Sequence, residues 1–196
     1  MIDNDRWNSA QKAEKESWDI VLASDGDIIQ YNPSKRHFPV MGLSPESNFF
    51  NQYVVDIGGG ALSLLLNFHK IHGLVVDPIQ FNAEWIQRYS NNGIDFLCST
   101  AEDFLETFDS GILWDEVWIY NTLQHVKDPE FILRNVRKVS SVLRISEPCL
   151  TPIDTPHPHS FTPEWMFKIL DEISVFGEHA RVDYDYPYVG GVFHLK

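Results

Sequence analysis

Three consecutive glycines, Gly58, Gly59 and Gly60, follow Val54-Val55-Asp56-Ile57. A second apolar run, Gly73-Leu-Val-Val, ends in Asp77, 21 positions after Asp56. A strand that runs into glycines lets the backbone approach a ligand closely, because no Cβ stands in the way. An acid at the tip of the next strand is placed to accept hydrogen bonds from a ribose diol. Together these residues describe a site for a nucleoside-containing cofactor at the carboxyl edge of a parallel sheet.

A second set of residues suits proton transfer. His125 follows a fourth apolar run, and His157 and His159 lie in a proline-rich stretch after a fifth. Histidine titrates near neutrality, so all three are candidates for a general base or a substrate contact at the same sheet edge. A structural histidine is the competing reading for His125. Asp154, His157, His159 and Glu147 also make a conceivable ligand set for a divalent ion. No helix or hairpin fixes the His-Pro-His pair, however, so no metal is expected. Tyr184, Tyr186 and Tyr188 either wall a substrate pocket or alternate along a half-exposed strand.

The elements that must position these groups follow from the pattern of apolar residues. Strands are expected at Tyr53–Ile57, Leu74–Val76, Ile94–Cys98, Glu116–Tyr120 and Val142–Ser146. Helix faces are expected at Leu62, Leu65, Leu66 and His69, at Phe81, Trp85 and Tyr89, across Ala101–Phe108, and at Ile132, Val136, Val139 and Leu143. Ser44-Pro45-Glu46, Asp128-Pro129-Glu130 and Thr162-Pro163-Glu164 share the chemistry of a helix start: an N-cap oxygen, proline at the first position, then an acid. Alternation of strand and helix with short links implies an α/β fold, a doubly wound, mostly parallel, seven-stranded Rossmann-like sheet with helices on both faces. Segments at Ile173–Phe176, Arg181–Tyr186 and Tyr188–Leu195, the last broken by Gly190-Gly191, are read as two closing strands. Residues 1–50 read as a helix around Trp7–Trp18 and a loop covering the site, and residues 51–196 as the cofactor-binding domain.

Composition narrows the partners. The net charge of −13 weighs against nucleic acid, whose binding proteins carry a basic face. The densest basic group, Lys127, Arg134, Arg137, Lys138 and Arg144, reads mainly as a solvated helix face. No apolar run approaches the roughly 18 residues that a membrane span needs. The start of the chain lacks the pattern of a secretory signal, and Cys98 and Cys149 read as buried thiols, so the cytoplasm is expected. The sequence leaves the oligomeric state open.

Two cofactor classes compete for the glycines. The dinucleotide spacing falls on Gly58, Gly60 and Ser63, with the third glycine missing. The acid two residues before the first glycine, Asp56, suits S-adenosylmethionine instead. From about residue 53 to 148 the chain resembles the class I S-adenosylmethionine-dependent methyltransferases. Val54-Val55-Asp56-Ile57-Gly58-Gly59-Gly60 resembles the first motif of that family, with Leu62 where a third glycine is common. Val75-Val76-Asp77-Pro78-Ile79 is similar to the second motif, and Thr100-Ala101-Glu102-Asp103-Phe104 to the third, with Thr100 in place of the usual acid. Glu116–Tyr120 running into Asn121, and Ile145-Ser146-Glu147-Pro148, match strands four and five of the family.

The resemblance implies roles. Gly58, Gly59 and Gly60 would lie beside the methionine portion, with Asp56 either a cofactor contact or a residue that orients the loop, while Asp77 would hold the ribose and Ile79 the adenine. Thr100, Ala101 and Glu102 would meet the adenine edge, and Asn121 the methionine end. The expected function is transfer of a methyl group from S-adenosylmethionine to a small-molecule acceptor. Such an enzyme aligns a nucleophile and excludes water; it needs a base for a hydroxyl or a protonated amine, but not for a carboxylate or thiolate. The alternatives are a non-catalytic module that keeps the fold and a dinucleotide oxidoreductase.

Overall fold

The computed structural model describes residues 1–23, 33–108 and 113–196. Seven strands form one sheet: β1 (Tyr53–Ile57), β2 (His72–Asp77), β3 (Ile94–Cys98), β4 (Glu116–Tyr120), β5 (Val142–Pro148), β6 (Ser174–Asp183) and β7 (Pro187–Leu195). Their order is β3-β2-β1-β4-β5-β7-β6. β1 to β5 are parallel, and β7 inserts antiparallel between β5 and β6. The chain order reverses between β1 and β4, and ligands bind outside the carboxyl ends at such a point.

Five α-helices accompany the sheet among the described residues: α1 (Asn4–Ala23), α2 (Ala83–Ser90), α3 (Ala101–Thr107), α4 (Pro129–Asn135) and α5 (Pro163–Ile173). Their starts use the side-chain caps written in the sequence. Thr100 accepts from Asp103 N, Asp128 from Phe131 N and Thr162 from Trp165 N. β4 is buried along its whole length, as expected of a strand with both faces covered. On one face Val55, Ile57 and Ile119 pack with Phe104, Leu133 and Met166 from three helices. On the other, Val54 and Trp118 pack with Phe38, Met41 and Phe49 from the N-terminal segment and with Tyr89 of α2.

Several sequence expectations are corrected. The helix expected across Leu62–His69 is a single 3-10 turn, Leu64–Asn67. Its leading amides are already taken: Tyr89 Oη accepts from Ser63 N and Tyr120 Oη from Leu64 N. Ser44-Pro45-Glu46 forms a turn, because Ser47 Oγ folds back to accept from Ser44 N at 2.9 Å. α4 ends at Asn135 and Leu143 belongs to β5. Gly190 and Gly191 do not break β7. A Cβ on Gly190 would strike Ile145 O, and one on Gly191 would strike Glu178 O, so the pair lets both neighbouring strands close in. Tyr184 and Tyr186 sit in the β6–β7 turn rather than on a strand. Cys149 is buried, but Cys98 is exposed. Of the loop expected within residues 1–50, residues 24–32 lie outside the described residues. Among the described residues no helix is long and apolar enough to cross a membrane.

Candidate functional site

The first wall of the site is the turn after β1. Gly58 and Gly60 take left-handed φ values of 76° and 60°, which glycine adopts without steric cost. A Cβ on Gly58 would also collide with the Thr122 side chain, so the loops after β1 and β4 meet here without a gap. Asp56 shapes this turn from beneath. It is fully buried, and its Oδ2 accepts from Ser63 Oγ at 2.5 Å and from Tyr120 Oη at 2.6 Å. Oδ1 has no partner among the described residues. Burial pushes the Asp56 carboxyl up to about 7, against those two hydrogen bonds.

Asp77 closes the same corner. Its Oδ2 accepts from Gly60 N at 3.0 Å and its Oδ1 from Ile79 N at 2.9 Å. The acid at the tip of β2 therefore locks the glycine turn to the next strand, and it keeps lone pairs for a ligand. Burial raises it to about 7, which the two backbone N–H groups oppose and the nearby Glu14 and Asp56 reinforce.

Above these residues lies a cavity of about 220 Å³ at the carboxyl ends of β1, β2 and β4. Of the residues anticipated from sequence, Gly58, Gly59, Asp77, Ile79, Thr100, Ala101, Glu102, Asn121 and His125 line it. Asp56 and Gly60 do not; they stand behind the turn. Thr100 Oγ1 caps α3, and Glu102 Oε1 accepts from Lys127 N and Asp128 N, so Glu102 also fastens the loop after β4. Asn121, in left-handed conformation at φ 52°, turns the chain at the end of β4. Glu147 supports that turn from below. Its carboxylate accepts from Thr122 N and Leu123 N, and burial pushes it up to about 8.

The histidines separate. His125 lines the cavity with both ring nitrogens engaged: Nδ1 donates to Pro156 O at 2.8 Å, and Nε2 lies 3.3 Å from Gln124 Nε2. Burial lowers its pKa, partly offset by Glu14. His157 lies tilted against His125, with ring centroids 4.8 Å apart, and pairs with Asp154 at 2.7 Å, but it is not on the cavity wall. His159 accompanies Phe161 and Trp165 in a separate surface cavity, with Nε2 2.9 Å from Val126 O. Of the three histidine candidates, His125 alone lines the cavity. The conceivable metal set is dispersed in the same way, since Glu147 is buried under the β4 turn. Among the described residues no three His, Cys, Asp or Glu side chains gather to hold a metal.

The opposite wall was missed in the sequence. Trp7, Gln11, Glu14 and Trp18 of α1 line the cavity, and their spacing of four, three and four puts them on one helix face. That spacing was the available signal. Trp18 lies over Gly60, where a Cβ would come within 2.6 Å of its ring, and meets Phe81 edge-on at 5.9 Å. Gln11 Nε2 donates to His125 O, Lys127 stands over the Trp7 ring at 4.4 Å, and Arg6 donates to Asp154 O and Thr155 O. Arg36 and His37 complete the wall from the 3-10 turn Pro33–His37. His37 is buried, its Nδ1 lies 2.9 Å from Ser146 Oγ, and desolvation lowers it to about 3. Arg144 of β5 holds this segment from below by donating to Met41 O.

Solved structures share this architecture with bound cofactor. Magnesium protoporphyrin IX methyltransferase from Synechocystis PCC 6803, solved with S-adenosylmethionine, has a TM-score of 0.66 at 12% identity, over 98% of each chain. The chain has the fold of the class I S-adenosylmethionine-dependent methyltransferases. A second protein with this methyltransferase fold, 1,6-didemethyltoxoflavin-N1-methyltransferase from Burkholderia thailandensis, has a TM-score of 0.65 at 12% identity, over all of this chain and 92% of that one. The N-methyltransferase NodS from Bradyrhizobium japonicum gives 0.59 at 15% identity, over 83% and 96%. No protein-family model matches the sequence, and no curated protein matches it either.

Proposed function

We propose that the protein is an S-adenosylmethionine-dependent methyltransferase acting on a small-molecule acceptor in the cytoplasm. One observation carries the reading: the glycine turn after β1 and the acid at the tip of β2 are bonded to each other and face one cavity at the switch point of the sheet. The residues fit the cofactor. The Gly58 and Gly59 backbone would lie beside its methionine portion, Asp77 would hold the ribose hydroxyls, and Ile79 would pack on the adenine. Thr100, Ala101 and Glu102 would flank the adenine edge, and Asn121 the methionine end. Asp56 and Gly60 act through the shape of the turn.

When bound, the cofactor supplies a methyl group already activated on sulfonium. The chain's own residues bind it, exclude water and orient the acceptor. Residues 1–50 supply the cover through the inner face of α1, and 51–196 the cofactor-binding domain, on a sheet read as doubly wound because both its faces carry core clusters. A small acceptor is consistent with the cavity volume and with the metabolites named for the magnesium protoporphyrin and toxoflavin enzymes.

The test is calorimetric titration with S-adenosylhomocysteine and, separately, NAD. Micromolar binding of the first and none of the second is expected. Binding of NAD alone would reverse the reading.

A further inference from the structure

We infer that the acceptor is a small carboxylic acid, held as its anion by Arg36 and methylated on a carboxylate oxygen; the inference rests on the methyl-transfer reading above. The cavity has two electrical ends. At the β1–β2 end the charged groups are acids. Asp77 is there, and Glu14 lies near enough to act on both Asp77 and His125. At the β4–β5–β7 end Arg36 adds a cation, with Glu14 between the two ends, 3.6 Å from His125 Nδ1.

Arg36 is positioned there by its neighbour His37. His37 is anchored on Ser146 and packs against Tyr120 and Tyr188, with ring centroids 5.4 and 5.1 Å away. The Arg36 guanidinium then lies over the Tyr188 ring at 5.1 Å, exposed at the cavity mouth. Among the described residues no carboxylate forms an ion pair with it. A planar guanidinium so placed presents its fork to a carboxylate.

Among the described residues the rings at this end are engaged, with Glu14 the carboxylate beside them, 3.6 Å from His125 Nδ1. Both ring nitrogens of His125 are engaged, and the Tyr120 hydroxyl donates to Asp56. The His37 ring is buried on Ser146. A hydroxyl or ammonium nucleophile would have to lose a proton here, whereas a carboxylate is already ionised at neutral pH. In the transfer, a carboxylate oxygen lone pair forms the new O–CH3 bond as the S–CH3 bond breaks. The bonding electrons stay on sulfur, the anionic and cationic charges cancel, and no proton moves.

The test uses benzoate, phenylacetate and 3-phenylpropionate against their primary amides, each titrated into the protein saturated with S-adenosylhomocysteine. Turnover with S-adenosylmethionine is assayed in parallel for a base-labile methyl ester. At least one acid is expected to bind and to yield its ester, while the amides do neither. Arg36→Gln should weaken acid binding about 30-fold, the scale of a lost charge-assisted pair, and Arg36→Lys should recover part of it. Both variants should keep their S-adenosylhomocysteine affinity. Acids that bind no better than amides, or bind Arg36→Gln as well as wild type, would overturn the inference and leave the methyl-transfer reading standing. Failure of the wild type to bind S-adenosylhomocysteine would remove both.

Discussion

At the β1–β2 end of the cavity the wall is backbone and carboxylate from one stretch of chain, Gly58 to Ile79. At the β4–β5–β7 end it is side chains from segments far apart: Gln11, Arg36 and His37, then Asn121 and His125. The first end is rigid because its parts bond to each other, as when Asp77 holds Gly60 and Ile79. The second is assembled by the fold, through bonds such as His37 to Ser146 that span 109 positions. The part proposed to hold the cofactor is thus compact in sequence, and the part proposed to select an acceptor is dispersed.

The sharpest way to break this contrast is at the compact end. Gly58→Ala places a Cβ in the space of Thr122 at a left-handed φ. It should destabilise the fold by about 3 kcal/mol or more, or abolish S-adenosylhomocysteine binding. Unchanged melting and unchanged affinity would show that the turn is not rigid.

Three buried carboxyls extend the contrast to pH. Asp56 and Asp77 are raised to about 7 and Glu147 to about 8, so between roughly pH 4 and 8 the folded state binds more protons than the unfolded chain. Their stabilisation is complete below the unfolded pKa values and is lost as pH rises through the folded ones. Urea unfolding should therefore give a stability lower at pH 8.5 than at pH 5.5, by several kcal/mol, at about 1.4 kcal/mol per pH unit for each group while it titrates. Glu147→Gln should flatten the slope, and a stability rising with pH would contradict these buried acids.

Asp77→Ala should weaken S-adenosylhomocysteine binding by about 1–3 kcal/mol, measured by calorimetry. An unchanged affinity would confine Asp77 to bracing the turn. Trp18→Ala should have a smaller effect, roughly fivefold in the same affinity, with little change in melting, because Ala10 is the one buried residue of α1. Smallest of all, His157→Ala and His159→Ala should leave cofactor affinity within about twofold and turnover near wild type, since neither ring reaches the cavity. A hundredfold loss of turnover would mean that the proline-rich loop closes over the acceptor.

Strands β1 to β5 were legible, because buried parallel strands are short apolar runs and caps such as Thr100 and Asp128 announce the helices between them; the antiparallel place of β7 between β5 and β6 was not. The helix expected after Gly60 was not, because Tyr89 and Tyr120 take its first amides from distant elements. Asp77, Gly58 and Ile79 were readable as site residues, since a ligand-facing strand tip needs those types at that place. Arg36 and His37 were not, since nothing local sets them apart from other polar loop residues. The α1 wall fell between: its four-three-four spacing was present, but it reads equally as an ordinary amphipathic face.

The position of β7 has a consequence for folding. Strands β1 to β4 are all available once residue 120 is in place, although β1 pairs with β4 across a longer separation than β5 pairs with β7, and β7 closes a local hairpin with β6. In chain order, β7 is nonetheless the last strand to become available. A partly folded chain would already have the corner of Asp77 and the glycines. It would lack Tyr188, and with it the ring that Arg36 rests on. The corner proposed for the cofactor is written in one stretch of chain, and the end proposed for the acceptor draws on its last strand.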